Sequence, residues 1–130
     1  MIGLVLVAHA RLAAELLAAA ELIVGPIPQA EAVGIGPGEE GSVVLAGITQ
    51  ALKRLGDNGA LILTDMFGGT PSNISLSFLE DNRIEVLSGV NLPMVMEFAL
   101  KRDRLGVAEL AARLRDCGRE SIAVAGDFLK

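Results

Sequence analysis

The chain of 130 residues uses histidine once, at His9, and cysteine once, at Cys117; it has no tryptophan, no tyrosine and four phenylalanines. A lone cysteine excludes an internal disulfide and a cysteine-based metal cluster. With one histidine besides, a zinc site would rest largely on carboxylates, an unusual donor set, and no metal is expected. So few aromatics leave no stacking platform for single-stranded nucleic acid. Positive charge is thin as well: 11 Lys and Arg stand against 16 Asp and Glu, and the net charge is −5. The basic residues gather no further than the pairs Lys53-Arg54 and Lys101-Arg102, so the clustered positive surface that nucleic acid demands is missing. No apolar run approaches the ~20 residues that span a bilayer. The opening "MIGLVLVAHA" has no basic region before its apolar one, as a signal peptide would. These absences predict one soluble, cytoplasmic domain filling 1–130, with no direct membrane insertion and no nucleic-acid partner.

What the chain does have is aliphatic bulk. Its apolar fraction is 52%, mostly Leu, Val, Ile and Ala, enough for a sizeable core of close helix-on-sheet packing. Strand and helix patterns alternate. "IGLVLVA" (2–8) is a continuous apolar run rich in β-branched residues, as in a strand covered on both faces. Leu12, Leu16, Ala19 and Ile23 recur at helical spacing before Gly25-Pro26. "AEAVGIG" (30–36) reads as a strand loosened by glycine. "GSVVLAGITQALKRLG" (41–56) reads as a helix with Val44, Ile48, Ala51 and Leu55 on one stripe and Gly56 past its end. "GALILTD" (59–65) is a buried strand, and 68–81 a helix opened by Thr70 and Pro71. Strand 83–89, helices 91–102 and 106–118, and a last strand 120–130 complete the order. This alternation predicts an α/β fold: an open, mostly parallel, doubly wound sheet with helices on both faces.

In such sheets ligands and chemistry collect beyond the carboxyl ends of the strands, where the strand order reverses. His9 ends the first strand and Asp65 the third, so if these strands are neighbours the two side chains share one crevice. An imidazole there can serve as an uncharged nucleophile near neutral pH. An adjacent carboxylate would fix its tautomer and stabilise its cation. The run "DMFGGTPSN" (65–73) combines two glycines with a helix start and the donors Thr70, Ser72 and Asn73. Those residues fit an oxyanion or phosphate cradle, and they fit equally a tight strand-to-helix turn. Neither GxxxxGK[ST] nor GxGxxG occurs, so no nucleotide cofactor is expected. "SGVNLPM" (88–94) repeats the strand-Gly-Asn-Pro-helix device and reads as a turn or as the crevice's other wall. "SIAVAGDF" near the end is apolar enough to need cover, which points to a homodimer.

Together these residues resemble the IIA component of the mannose family of the bacterial phosphoenolpyruvate-dependent sugar phosphotransferase system. The resemblance runs through "LVLVAHA", "PGE" at 37–39, "LTDMFGGTPSN" at 63–73, "SGVNLPMVME" at 88–97 and "CGRE" at 117–120. It implies a phosphoryl relay in which His9 accepts phosphate from the histidine-containing phosphocarrier protein and passes it to a separate IIB component, with no cofactor. By the same analogy Asp65 orients the ring, Gly68, Gly69, Thr70, Ser72 and Asn73 surround the phosphoryl oxygens, and Met66 and Phe67 dock the carrier. It also implies an antiparallel last strand at the sheet edge, exchanged between subunits of a homodimer. The family usually has His-Gly where this chain has His9-Ala10, and Arg11 is not typical of it. Two rival readings stand beside it: the phosphoryl-donor subunit of a dihydroxyacetone kinase system, and a non-enzymatic flavodoxin-like ligand-binding module. The sugar is not legible, because nothing in the scheme brings sugar to this chain.

Overall fold

The computed structural model describes residues 1–66 and 70–129. Four strands, β1 (Gly3–His9), β2 (Ala30–Ile35), β3 (Ala60–Thr64) and β4 (Ile84–Ser88), form one parallel sheet in the order β2-β1-β3-β4. Among the described residues, five α-helices connect or cover them: α1 (Leu12–Val24), α2 (Gly41–Leu55), α3 (Thr70–Ser75), α4 (Leu92–Lys101) and α5 (Val107–Glu120). None of the described helices is long and apolar enough to cross a membrane.

Alternation along β1 builds a core on each side. Leu4, Leu6 and Ala8 join Leu61 and Leu63 of β3 beneath α1, α4 and α5, with Phe98 and Leu114 fully buried among them. Val5 and Val7 point the other way and join Ile62 beneath α2, which presents Val44, Ile48, Ala51 and Leu55. Those four are the stripe expected from the sequence. Each fully buried aliphatic side chain contributes roughly 1.5–3 kcal/mol, so a central strand buried on both faces holds the two layers together.

Two expectations are corrected. The stripe on α1 is rotated: Ala13 and Ala20 are buried, while Leu12 and Ile23 are exposed. Helix α1 is apolar nearly all round, so period alone does not select its inner face; the small alanines do, by letting the helix close on the sheet. The expected strand at 120–130 does not form. Helix α5 runs to Glu120, and the tail ends in a 3-10 turn at Ala125–Leu129. Its apolar side chains, Ile122, Val124, Phe128 and Leu129, are exposed. Within one chain this tail pairs with none of the described strands.

The strand order places the crevice. From β1 the chain steps to β2 on one side, then crosses back over β1 to β3 on the other. Helix α1 makes the first connection against one face and α2 the second against the opposite face. The carboxyl ends of β1 and β3 are therefore the switch point, where departing chains diverge and leave a cleft.

Candidate active site

His9 and Asp65 meet at that switch point. Val7 lies opposite Thr64 in the ladder, so both residues stand just beyond the shared register. One carboxylate oxygen, Oδ2 of Asp65, accepts the backbone N–H of His9 at 3.0 Å and faces its ring Nδ1 at 2.8 Å. The side chain of Asp65 is 12% exposed and that of His9 51%. Burial pushes the Asp65 carboxyl up, but the His9 N–H and imidazole outweigh it and hold the carboxyl below the usual range. Asp65 is therefore ionised at neutral pH and can only accept hydrogen bonds. That requires the proton on Nδ1. In the neutral ring Nε2 is left with its lone pair, on a side chain half open to solvent. The arrangement suits a nucleophile whose tautomer is fixed by its neighbour.

The backbone around His9 is tightly constrained. Ala10 has φ 54°, in the left-handed region, and its N–H donates to the carbonyl of Ile35 at 2.8 Å. This turns the Ala10 carbonyl toward β2, where a Cβ on Gly34 would stand 2.6 Å from it. Gly34 is thus required by a close approach beside the site. The glycine inside the 30–36 strand was the available signal, since such a residue often marks a neighbouring backbone.

The other expected residues divide. Met66 is 53% exposed at the rim. Thr70 and Asn73 are exposed on α3. Phe67, Gly68 and Gly69 lie outside the described residues. Ser72 departs from the expectation that its hydroxyl meets phosphoryl oxygens. It is 1% exposed, with Oγ 3.1 Å from Oγ of Ser88, because Pro71 and Ser72 face into the core while Thr70 and Asn73 face out. Arg11 precedes α1 with its side chain in solvent, 3.6 Å from Glu15. Asn91 takes the turn role: its Oδ1 caps α4 by accepting the Met94 N–H at 3.2 Å, and its Nδ2 donates to the Gly118 carbonyl at 3.1 Å. Among the described residues, no group of three or more His, Cys, Asp or Glu is placed to hold a metal ion.

An open parallel sheet with a His–Asp pair at its switch point defines a class of site rather than a protein. The chain matches the family described as EIIA-man, PTS system fructose IIA component, over residues 3–115, and it belongs to that family. It is 31% identical over 112 residues to the PTS system sorbose-specific EIIA component of Lacticaseibacillus casei, covering 85% of this chain and 81% of that protein. It is 37% identical over 83 residues to the PTS system fructose-specific EIIA component of Bacillus subtilis (strain 168), covering 62% of this chain but only 57% of that relative. In structure it superposes on phosphotransferase system component EIIA from Streptococcus agalactiae with a TM-score of 0.90 and 30% identity, covering 98% of this chain and 99% of the other. Neither the dihydroxyacetone kinase reading nor the flavodoxin-like one is favoured by these matches.

Proposed function

We propose that this chain is a phosphoryl carrier of the sugar phosphotransferase system, with His9 as the group that carries. The observation that supports this most is the 2.8 Å contact between Asp65 Oδ2 and His9 Nδ1, which leaves Nε2 as the nucleophile. Nε2 attacks the phosphorus of a phosphohistidine on the phosphocarrier protein. One N–P bond forms, the donor's N–P bond breaks, and its electron pair returns to the donor imidazole. His9 keeps its Nδ1 proton throughout, and the Asp65 carboxylate stabilises the positive charge that develops on the ring. Thr70 and Asn73, exposed at the start of α3, supply donors toward the phosphoryl oxygens, with Gly68 and Gly69 between them and Asp65. Met66 and Phe67 form part of the carrier's docking surface. The group then passes to a IIB component, or its presence on His9 reports the phosphorylation state to a regulatory partner. The setting is cytoplasmic.

Assembly belongs to the same reading. A groove of about 600 Å³ runs beside the free edge of β4, lined by Val86, Leu87, Met94, Ala111 and Ala112. The exposed apolar tail of a second copy fits such a groove and would add an antiparallel strand to β4. The expected state is a homodimer, and a monomeric mass by light scattering at micromolar concentration would exclude it.

The function is tested by intact mass. Incubation with phosphoenolpyruvate, enzyme I and phosphocarrier should add one phosphoryl group, acid-labile and alkali-stable as a phosphoramidate is. His9→Ala should add none, since the chain has no other histidine. Acid-stable phosphate on Thr70 or Ser72 with His9 unmodified would overturn the mechanism.

A further inference from the structure

Beneath the site lies a chain of three hydroxyls. Thr64 and Ser88, the last residues of β3 and β4, are direct partners in the ladder. Thr64 Oγ1 donates to Ser88 Oγ at 3.1 Å, and Ser88 Oγ lies 3.1 Å from Ser72 Oγ. Thr64 is fully buried and Ser72 nearly so. The main chain adds to this hold, because the Thr64 carbonyl accepts the N–H groups of Gly89 and Val90, both at 3.0 Å. Only four polar or charged residues are buried among those described, namely Thr64, Ser72, Ser75 and Arg102. Two of them belong to this one chain of hydroxyls.

Packing alone does not ask for these hydroxyls. Valine has nearly the shape of threonine, and alanine nearly that of serine. A buried hydroxyl without a partner is costly, and an apolar pair of the same shape is close to neutral. What the hydroxyls do add is a connection. Thr64 immediately precedes Asp65, and Ser72 follows Thr70 by two residues. The segment carrying Asp65 and Thr70 leaves β3 at one end and enters α3 at the other, and both ends are tied to a single atom, Ser88 Oγ. Of the three hydroxyl protons, two span the two links, with Ser88 the shared partner in both.

We infer that Ser88 is a positioning residue for phosphoryl transfer: the hub that ties Thr64, at the end of β3, to Ser72 of α3 and so keeps Asp65 on His9 Nδ1. It touches neither the phosphoryl group nor the ring. The inference rests on the carrier reading for its rate effect, though its grip on the His9–Asp65 pair is measurable without any transfer.

The experiment compares Ser88→Ala, Ser88→Thr and Ser72→Ala in the full chain. In Ser88→Ala the saturating rate of phosphoryl uptake from the phosphocarrier should fall roughly 10- to 100-fold, the scale of a small misplacement of reacting groups. The KM for the carrier should rise by less than the rate falls, because Met66 and Phe67 of the docking surface follow Asp65 directly in the chain. Nitrogen NMR of the His9 ring should move from a fixed Nδ1–H tautomer toward an average of the two. Ser88 is only partly buried, so Ser88→Thr has room for its methyl and should restore both rate and tautomer. Ser72→Ala cuts one arm and should give an intermediate effect, and it serves if Ser88→Ala fails to fold. An unchanged tautomer would overturn the inference, whether or not the rate falls. A wild-type chain that accepts no phosphate would overturn the carrier reading instead, while the NMR comparison would still decide the role of Ser88.

Discussion

The two ends of β1 each hold a nitrogen-bearing side chain against the sheet, and they hold it in opposite ways. At the amino end the guanidinium of Arg102, 4% exposed, donates to the carbonyl of Ile2 from Nε at 3.1 Å and Nη2 at 2.6 Å. It reaches the Pro28 carbonyl at 2.5 Å and that of Gln29 at 3.3 Å. Its carbon lies 4.7 Å from the centre of the Phe98 ring. Burial pushes its pKa down, and nearby Asp103 offsets part of this; the group keeps its charge throughout the neutral range. At the carboxyl end the His9 ring is half exposed and, among the described residues, has one partner, the carboxylate of Asp65. Every donor nitrogen of Arg102 has an acceptor, whereas among the described residues His9 has Nε2 to spare. A side chain whose hydrogen bonds are all satisfied in the core can only hold structure together. One fixed on a single side and open on the other can do chemistry. The same sheet supports both because parallel strands expose their carboxyl ends at a cleft and here close their amino ends with a bolt.

Removing the charge of Asp65 should separate the ends most sharply. Asn in its place still hydrogen-bonds the ring but admits the wrong tautomer and cannot balance a cation. Phosphoryl uptake by Asp65→Asn should fall by roughly 10²–10⁴-fold, the range for losing a positioned acid–base partner, as followed by quenched-flow mass measurement. Stability should respond to pH in a defined direction. The folded-state pKa of Asp65 is depressed, so its contribution is complete above the unfolded value of about 3.9 and is lost as pH falls through the folded value. Urea midpoints of the wild type and Asp65→Asn should therefore differ in slope on the acid side of pH 4 and run parallel above it. Identical acid limbs would show that the pair does not hold in solution.

Arg102→Met should do the reverse. It keeps much of the apolar stem but strips the donors from the buried carbonyl of Ile2 and the part-buried carbonyl of Pro28. Leaving the buried Ile2 carbonyl unpaired costs about 1–3 kcal/mol and the part-buried one less, so a loss of roughly 1–4 kcal/mol in urea unfolding is expected. Phosphoryl uptake per folded molecule should be unchanged. Arg102→Lys should recover little, since one ammonium cannot reach what a planar fork reaches. A rate defect in folded Arg102→Met would mean that the two ends of β1 are coupled.

Legibility in the sequence follows the same division. The pair at the carboxyl end was readable because position announces it: a lone histidine and an aspartate each closed a β-branched run, and sheet topology brings such ends together. The stripe of α2 was readable because local pattern decides it. Arg102 was not. In the sequence it is half of the charged pair Lys101-Arg102, and only tertiary packing distinguishes the inward residue from the outward one. The hydroxyl chain was also hidden, since Thr64, Ser72 and Ser88 sit far apart in sequence and nothing local marks a hydroxyl as buried. The tail at 120–130 was misread for a related reason. Its composition suits a strand, but composition does not say which edge a strand joins, and this tail pairs with none of the described strands of its own chain.

The smallest expected effect probes the strain beside the nucleophile. Ala10 sits at φ 54°, where an L-residue with a Cβ costs roughly 1–2 kcal/mol over its relaxed conformation. Its side chain is exposed, so the methyl recovers little by packing. Glycine would adopt this turn freely, but it also gives the unfolded chain more freedom, an opposing term of about 0.4–1 kcal/mol. Ala10→Gly should therefore raise stability by about 0.5 kcal/mol, read as a small upward shift of the thermal midpoint. The His9 N–H should stay on Asp65, and the transfer rate should change by less than about twofold. Gly34→Ala supplies the opposite sign at the same spot, since its Cβ would meet the Ala10 carbonyl at 2.6 Å and must push that turn away. If Ala10→Gly lowered stability, the alanine would be holding the turn rather than straining it, and the end of β1 would depend on the stiffness of residue 10 as well as on Asp65.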